Sequence, residues 1–392
     1  MTTTTPYTNA RILHYLLAAF GLTVLILTFV PTPLHDSPFS ASLTAPLTTS
    51  PESETALNPL TTTPIFTNPN RNPTISNSQP PIGSNDLPTW LIWTNSAAPL
   101  RQRREIIRST WQRTFASIPF TPLFVIGEPT AEWLPLLAQE NATYGDLIMI
   151  GGHGDGAEFA NTIKPFEVLL HLRDQAREGG TNYTFVTKTD DDTYLNVARL
   201  WDSYILPNAE AERTIISRPI CFDRPHEYPS GPMYTLTWDL VEILADQYEA
   251  TTETERFEFT GTEPTTKKGQ TGYRRRAGED FLVGHFLVEA NEEFGYLGLD
   301  FEESCDVIEA EGQFNGVTER SVAVHRMKAD EEFLWVSAMF GEGGFKGGKV
   351  EGVDYLALLR GRAEEVKEKA EKEAERKKKK KEQGKKGKGH NS

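Results

Sequence analysis

The stretch NYTFVTKTDDDTYLNVARL, residues 182–200, decides how this chain is read. An apolar, β-branched run, YTFVTKT (183–189), ends in three adjacent aspartates, Asp190, Asp191 and Asp192. Neighbouring carboxylates repel one another, so the chain either leaves them in water or brings a cation to them. Carboxylates at a strand end are hard oxygen ligands that suit Mg²⁺ or Mn²⁺, ions that also hold substrate phosphates. The triplet could therefore mark a nucleotide-diphosphate site. The competing reading is an acidic turn that caps the following helix.

Working outward, strand and helix patterns alternate. WLIWT (90–94), TPLFVIG (121–127), GDLIMI (145–150) and YTFVTKT read as strands. Between them, RQRREIIRSTWQRTF (101–115) places Ile106, Ile107, Thr110 and Trp111 near helical spacing. AEWLPLLAQEN (131–141) reads as a turn or two of helix interrupted by Pro135, and 159–176 as a helix with Pro165 in its first turns. Beyond the triplet, 214–220, 233–237 and 321–325 read as strands, and 238–248 and 278–290 as helices. This alternation predicts an α/β domain with a mainly parallel sheet and helices on both faces. Ligands in such sheets bind beyond the carboxyl ends of the strands, where the triplet lies.

The rest of the chain is organised around that domain. Residues 12–30 carry no Asp, Glu, Lys or Arg. As a helix they would span roughly 28 Å, enough for a bilayer core, against a shorter apolar region in a signal peptide. Arg11 precedes this span and Asp36, Glu52 and Glu54 follow it. That order predicts a cytosolic tail (1–11), a transmembrane anchor (12–30) and everything later on the lumenal side. Residues 31–88, rich in Pro, Thr, Ser and Asn, read as a disordered stem. The catalytic domain is expected over 89–360, with a polar surface insertion at 249–277, and a Lys/Glu-rich disordered tail over 361–392 that starts from Ala363 as a frayed, solvated helix.

Net charge is −15, yet residues 376–392 carry nine basic side chains against one acidic, which leaves −23 for the remainder. So acidic a body excludes nucleic acid as the main partner. Two cysteines, Cys221 and Cys305, exclude a disulfide-dense scaffold and a multi-cysteine zinc site, and leave one pairing open. Asn141-Ala142-Thr143 and Asn182-Tyr183-Thr184 are N-glycosylation sequons on the lumenal side, Asn182 the less favourable because it adjoins a strand read as buried.

Five segments in order resemble glycosyltransferase family 31, the β-1,3-galactosyltransferases, β-1,3-N-acetylglucosaminyltransferases and fringe-like enzymes. They are RREIIRSTW (103–111), YGDLIMIGGHGDGAEFANTIKPFEVLLHL (144–172), KTDDDTYLN (188–196), GEDFLVG (278–284) and VAVHRMKADEEFLWV (322–336). The resemblance covers about residues 90–340. It implies a GT-A type, Rossmann-like nucleotide-sugar transferase domain. It implies Asp192 and His325 as metal ligands, with Mn²⁺ favoured by the imidazole and Mg²⁺ the alternative. Asp190 and Asp191 would touch the donor or orient the metal's waters. Asp280 would be the catalytic base, with Glu279 its neighbour, against the simpler reading of an acid at a helix N-terminus. Arg104 and Arg108 would contact the donor's charged groups or lie on a helix surface.

The activity so implied is inverting transfer of a hexose from a UDP-sugar to a hydroxyl of a protein- or lipid-borne glycan, through a β-1,3 linkage. Galactose is the first donor to consider and N-acetylglucosamine the next. The setting would be a type II membrane protein of the Golgi. One segment departs from the family: EYPSGPMYTLTWDLV (227–241) has Met233 where a second glycine is expected. That departure feeds the alternative of a catalytically inactive, glycan- or partner-binding relative. A metal-dependent phosphoryl transferase would show a GxxxxGK[ST] loop, which the sequence lacks.

Overall fold

The computed structural model of the chain describes residues 87–388 apart from 153, 155, 157–158, 160, 221–225 and 261–277. The chain divides into Met1–Pro59 and Leu60–Ser392, and the description concerns the second unit. The expected anchor, the stem up to residue 86, Cys221 and most of the 249–277 insertion lie outside the described residues. Among those residues no helix is long and apolar enough to cross a membrane.

The domain is built on a seven-stranded sheet. Its strands are β1 (Trp90–Asn95), β2 (Thr121–Ile126), β3 (Leu147–Met149), β4 (Phe185–Asp190), β6 (Thr214–Ser217), β9 (Met233–Thr237) and β10 (Gly295–Gly298), in the order β10-β6-β9-β4-β1-β2-β3. All neighbours are parallel except β9, which is antiparallel to both β4 and β6. The mainly parallel α/β class read from the sequence is thus the observed one. Strands buried on both faces carry continuous apolar runs. In β1, Trp90 and Ile92 enter one core while Leu91 and Trp93 enter the other.

Helices cover both faces. One core receives Ile107, Trp111 and Phe115 from α1 (Arg101–Ile107) and its continuation, Leu137 from α2 (Leu134–Tyr144), and Phe333 and Val336 from α8 (Asp330–Ala338). The other receives Phe166 and Leu169 from α3 (Lys164–Arg177), Leu240 and Leu244 from α5 (Trp238–Ala250), and Leu282 and Phe286 from α7 (Glu279–Glu289). A short helix α4 (Val197–Leu200) follows the triplet, and α6 (Glu253–Thr260) occupies the start of the expected insertion.

Several boundaries differ from the sequence reading. Pro135 lies in the first turn of α2 and does not interrupt it, because a proline there gives up an N–H that no carbonyl would have accepted. For the same reason Pro165 opens α3, which begins at Lys164 and not at 159. The 214–220 run splits at Arg218 into β6 and β7 (Pro219–Ile220), which pairs with β8 (Tyr228–Pro229). The largest correction is at the C-terminus. The frayed helix read from Ala363 is instead one long helix, α9 (Tyr355–Lys388), that replaces the expected disordered tail as far as Lys388; its Leu359 and Ala363 are buried in the main core, so the domain does not end at 360.

Two features place the functional site. β1 leads to β2 and β3 on one side and has β4 on its other side, which makes the β1–β4 border a topological switch point, with Asn95 and Asp190 paired at its carboxyl edge. A small second sheet, β11 (Ser304–Asp306), β12 (Ala323–His325) and β5 (Tyr194–Leu195), stands beside that edge.

Candidate active site

A cleft of about 810 Å³ opens at the switch point. It is bounded by the Asn95–Ala97 loop, the Asp190–Asp192 triplet, Arg218, the Ser230–Pro232 turn, the Gly278–Asp280 helix start, and Asp306 and His325. The sequence-distant histidine arrives there by register. β12 pairs antiparallel with β5, Ala323 opposite Leu195 and Val324 opposite Tyr194, so the next residue, His325, comes level with the end of the triplet. The Met327 N–H then donates to the Asp192 carbonyl at 3.1 Å.

Ligand atoms of Asp190, Asp192 and His325 all lie within 4.8 Å of one another. The His325 Nε2 is 3.2 Å from Asp192 Oδ1, and its Nδ1 is 2.5 Å from Asp306 Oδ1. A carboxylate behind one imidazole nitrogen, leaving the other aimed at acidic ligands, is a frequent arrangement at metal centres. The donor set therefore fits Mn²⁺ or Mg²⁺, and it brings in Asp190, which the sequence reading placed on the donor. Arg326 has a left-handed backbone (φ 65°) and holds the other Asp306 oxygen through Nε at 2.8 Å. Lys328, largely exposed, reaches Asp192 Oδ2.

These contacts set the charges. Burial alone would raise the Asp192 carboxyl, but His325 and Lys328 outweigh it and hold it well below the usual carboxylate range. Burial would depress His325, yet Asp192 and Asp306 push it up to about 9. Among the described residues Asp191 has no hydrogen-bonded cation, and burial with the adjoining Asp192 and Asp190 charges outweighs the more distant Arg103 and Lys328 and pushes it up to about 6.

The opposite wall carries the pair expected to act on the acceptor. Glu279 and Asp280 open α7 after Gly278, with the Glu279 N–H donating to the Asn161 carbonyl at 3.0 Å. Asp280 Oδ1 accepts from the Phe281 N–H at 2.8 Å, and burial raises its carboxyl. A Cβ on Gly278 would stand 2.4 Å from Asp280 Oδ1, and one on Gly231 would stand 3.3 Å from Asp280 Oδ2. The two glycines thus let backbone close in on the carboxylate from both sides. Met233, whose replacement of a glycine put the pocket in question, is fully buried in β9 and faces the core. Gly231, which is retained, makes the close approach.

Lys188 joins the two walls. Its ammonium is 1% exposed and lies 2.7 Å from Asp190 Oδ1, 2.8 Å from Glu279 Oε1 and 2.7 Å from the Gly231 carbonyl. Burial raises Glu279 to about 7 against the pull of that ammonium. No sequence pattern gives Lys188 this role, and none marks Asp306, because its partner lies 19 residues away.

Arg104 and Arg108 require correction. Neither lines the cleft. Arg104 is fully buried, forms a bidentate pair with Glu140 at 2.8 and 2.7 Å, and donates to the Ala97 carbonyl at 2.6 Å. Arg108 pairs with Glu140 and with both oxygens of Asp146. Lys164, also buried, donates to the Ser96 carbonyl at 2.6 Å. Arg104 therefore steadies the loop beside the cleft from behind. Of the sequon residues, Asn182 is exposed just before the buried strand β4, whereas Asn141 lies within α2 and its Oδ1 accepts the Leu147 N–H at 3.1 Å.

Residues 102–219 match the model of the galactosyltransferase family. With the fold and the cleft, this match defines the chain as a glycosyltransferase. The match spans 118 of the 392 residues and supports a galactosyltransferase-family assignment. Among solved structures the chain is similar to the galactosyltransferase LgtC in complex with donor and acceptor sugar analogues, at 8% identity, covering 64% of this chain and 95% of that one with a TM-score of 0.37. It is also similar to a glycosyltransferase involved in glycosylation of the major capsid of PBCV-1 (12% identity, 63% and 98% covered, TM-score 0.34). Mouse xyloside xylosyltransferase 1 is a third (11%, 62% and 98%, TM-score 0.33). These likenesses are distant and concern the fold alone. No curated protein matches the chain.

Proposed function

We propose that the chain transfers a hexose, galactose first and N-acetylglucosamine next, from a UDP-sugar to a glycan hydroxyl, with inversion and a β-1,3 linkage. One observation carries this reading: the triplet, His325 and Asp280 line a single cleft at the switch point of the sheet. Asp190, Asp192 and His325 would hold Mn²⁺, with Mg²⁺ the alternative. Bound there, the ion supplies positive charge against the charge that builds on the departing diphosphate. Asp280 accepts the proton of the acceptor hydroxyl as its oxygen attacks the anomeric carbon from the face opposite UDP. The bond to the acceptor oxygen forms as the bond to the diphosphate breaks, so an α-linked donor gives a β-linked product without a covalent enzyme intermediate. A carboxyl raised by burial is a better base near neutral pH than a free aspartate. The Asn95–Ala97 loop and Asp191 would bind the nucleotide and sugar. The anchor at 12–30, the stem and a Golgi-lumenal domain belong to the same proposal and rest on the apolar run and the composition that follows it.

The test is UDP release by the full-length protein from a panel of UDP-sugars with Mn²⁺, with and without EDTA. Release that EDTA abolishes is the expected result. UDP binding without turnover on any donor would favour the inactive relative, and neither binding nor release would overturn both.

A further inference from the structure

Cations that line the cleft mostly have carboxylate partners. His325 lies between Asp192 and Asp306, Arg326 holds Asp306 and Lys328 reaches Asp192. Arg218 differs. Among the described residues it touches no carboxylate: its Nη2 is 3.3 Å from the Ser230 hydroxyl, its guanidinium lies 5.1 Å from the centre of the Phe301 ring, and its Nε is buried without a hydrogen-bond partner. Asp306, whose carboxyl its charge helps hold down, is already taken by His325 and Arg326. A partly buried guanidinium with an idle N–H and no carboxylate bonded to it has given up water for only a distant share in the Asp306 charge, an arrangement that a bound anion completes.

Its position says which ligand brings that anion. β6 and β4 are both antiparallel to β9, so they run parallel to each other two strands apart, about 10 Å. Arg218 leaves β6 at the edge where Asp190 leaves β4. The Arg218 carbonyl accepts the Ser230 N–H at 2.9 Å, and the next residue, Gly231, backs onto Asp280. Arg218 therefore stands on the side of the proposed base, where the acceptor enters, two strands from the proposed diphosphate site. Phe301, half exposed, holds the guanidinium plane and adds an apolar face beside it.

We infer that Arg218 and Phe301 form a subsite for an oxyanion, a carboxylate or sulfate ester, carried by the acceptor sugar; this rests on the transferase reading above. UDP binding in the presence of Mn²⁺ is measured first, since its failure overturns that reading and not the subsite alone. Methyl β-D-glucuronide and methyl β-D-glucoside are then titrated against the full-length protein with UDP and Mn²⁺, with saturation-transfer NMR as the readout. The charged glycoside should bind at least about tenfold more tightly, as one charge-assisted contact allows. Arg218→Gln should bring the ratio towards one, and Arg218→Lys should restore part of it. Equal binding by the wild type, no binding of the charged glycoside, or a preference that survives in Arg218→Gln would overturn the subsite. A separate arm compares UDP-glucuronate with UDP-glucose. A charge preference there, or a weakened UDP affinity in Arg218→Gln, would move the anion to the donor and overturn the acceptor assignment.

Discussion

Asp280 sits between two glycines that leave little room for any other geometry. Asp280→Asn keeps the shape and removes the proton acceptor, so UDP affinity should stay within about twofold while turnover falls by roughly 10²- to 10⁴-fold. Full turnover in that variant would end the base assignment. Gly278→Ala should reproduce much of the loss by displacing the carboxylate, with UDP binding intact, because its Cβ would need the space that Asp280 Oδ1 occupies. Lys188→Met should cost about 3–5 kcal/mol in urea unfolding, since it strands Glu279 as a buried carboxylate without its cation and leaves the partly exposed Asp190 unpaired beside it. At this scale the triplet, Asp280 and His325 were legible because their chemistry sits in contiguous motifs. Lys188, Asp306 and Arg218 were not, because their meaning comes from partners that only strand register delivers.

Prolines show what was legible among the elements. Both helices that contain one were found, but whether a proline breaks or begins a helix depends on where the first turn falls, and an apolar pattern fixes that to within a few residues. Arg104 and Arg108 show the converse. Their i, i+4 spacing correctly indicated a helix, yet no pattern in 101–115 reveals that Glu140 waits on α2. Glu140→Gln should destabilise the domain by about 3–5 kcal/mol at neutral pH, as it uncovers a fully buried guanidinium. Burial opposes ionisation of Glu140, but Arg104 and Arg108 outweigh it and lower its pKa. A carboxyl lowered by folding stabilises above its unfolded pKa and loses that contribution as pH falls through the lowered value. Wild-type stability should thus drop below the ordinary glutamate range, and the Glu140→Gln profile should be flatter there. Parallel slopes in denaturant midpoints against pH would contradict this.

For the whole molecule, alternation gave the sheet class. The reversal at β9 was not legible, since a buried strand reads the same in either direction. Nor was the extent of the domain at its C-terminus. Lys/Glu richness marked α9 as solvated, which holds for most of its 34 residues, but Leu359 and Ala363 are core residues in a segment whose charge hides them. Removing residues after 370 should leave the melting temperature nearly unchanged. Leu359→Ala should lower stability by about 2–5 kcal/mol, measured by denaturant unfolding.

The short ladder between β5 and β12 carries a mechanical consequence. Asp190 and Asp192 issue from the large sheet, His325 from the small one, and two rungs align them. A divalent ion gripping all three would act as a rivet through the seam between the sheets. Mn²⁺ should therefore slow amide exchange in β11 and β12 far more than in β2 and β3, with no sugar nucleotide present. Uniform protection, or none, would mean the ion is held by one sheet alone.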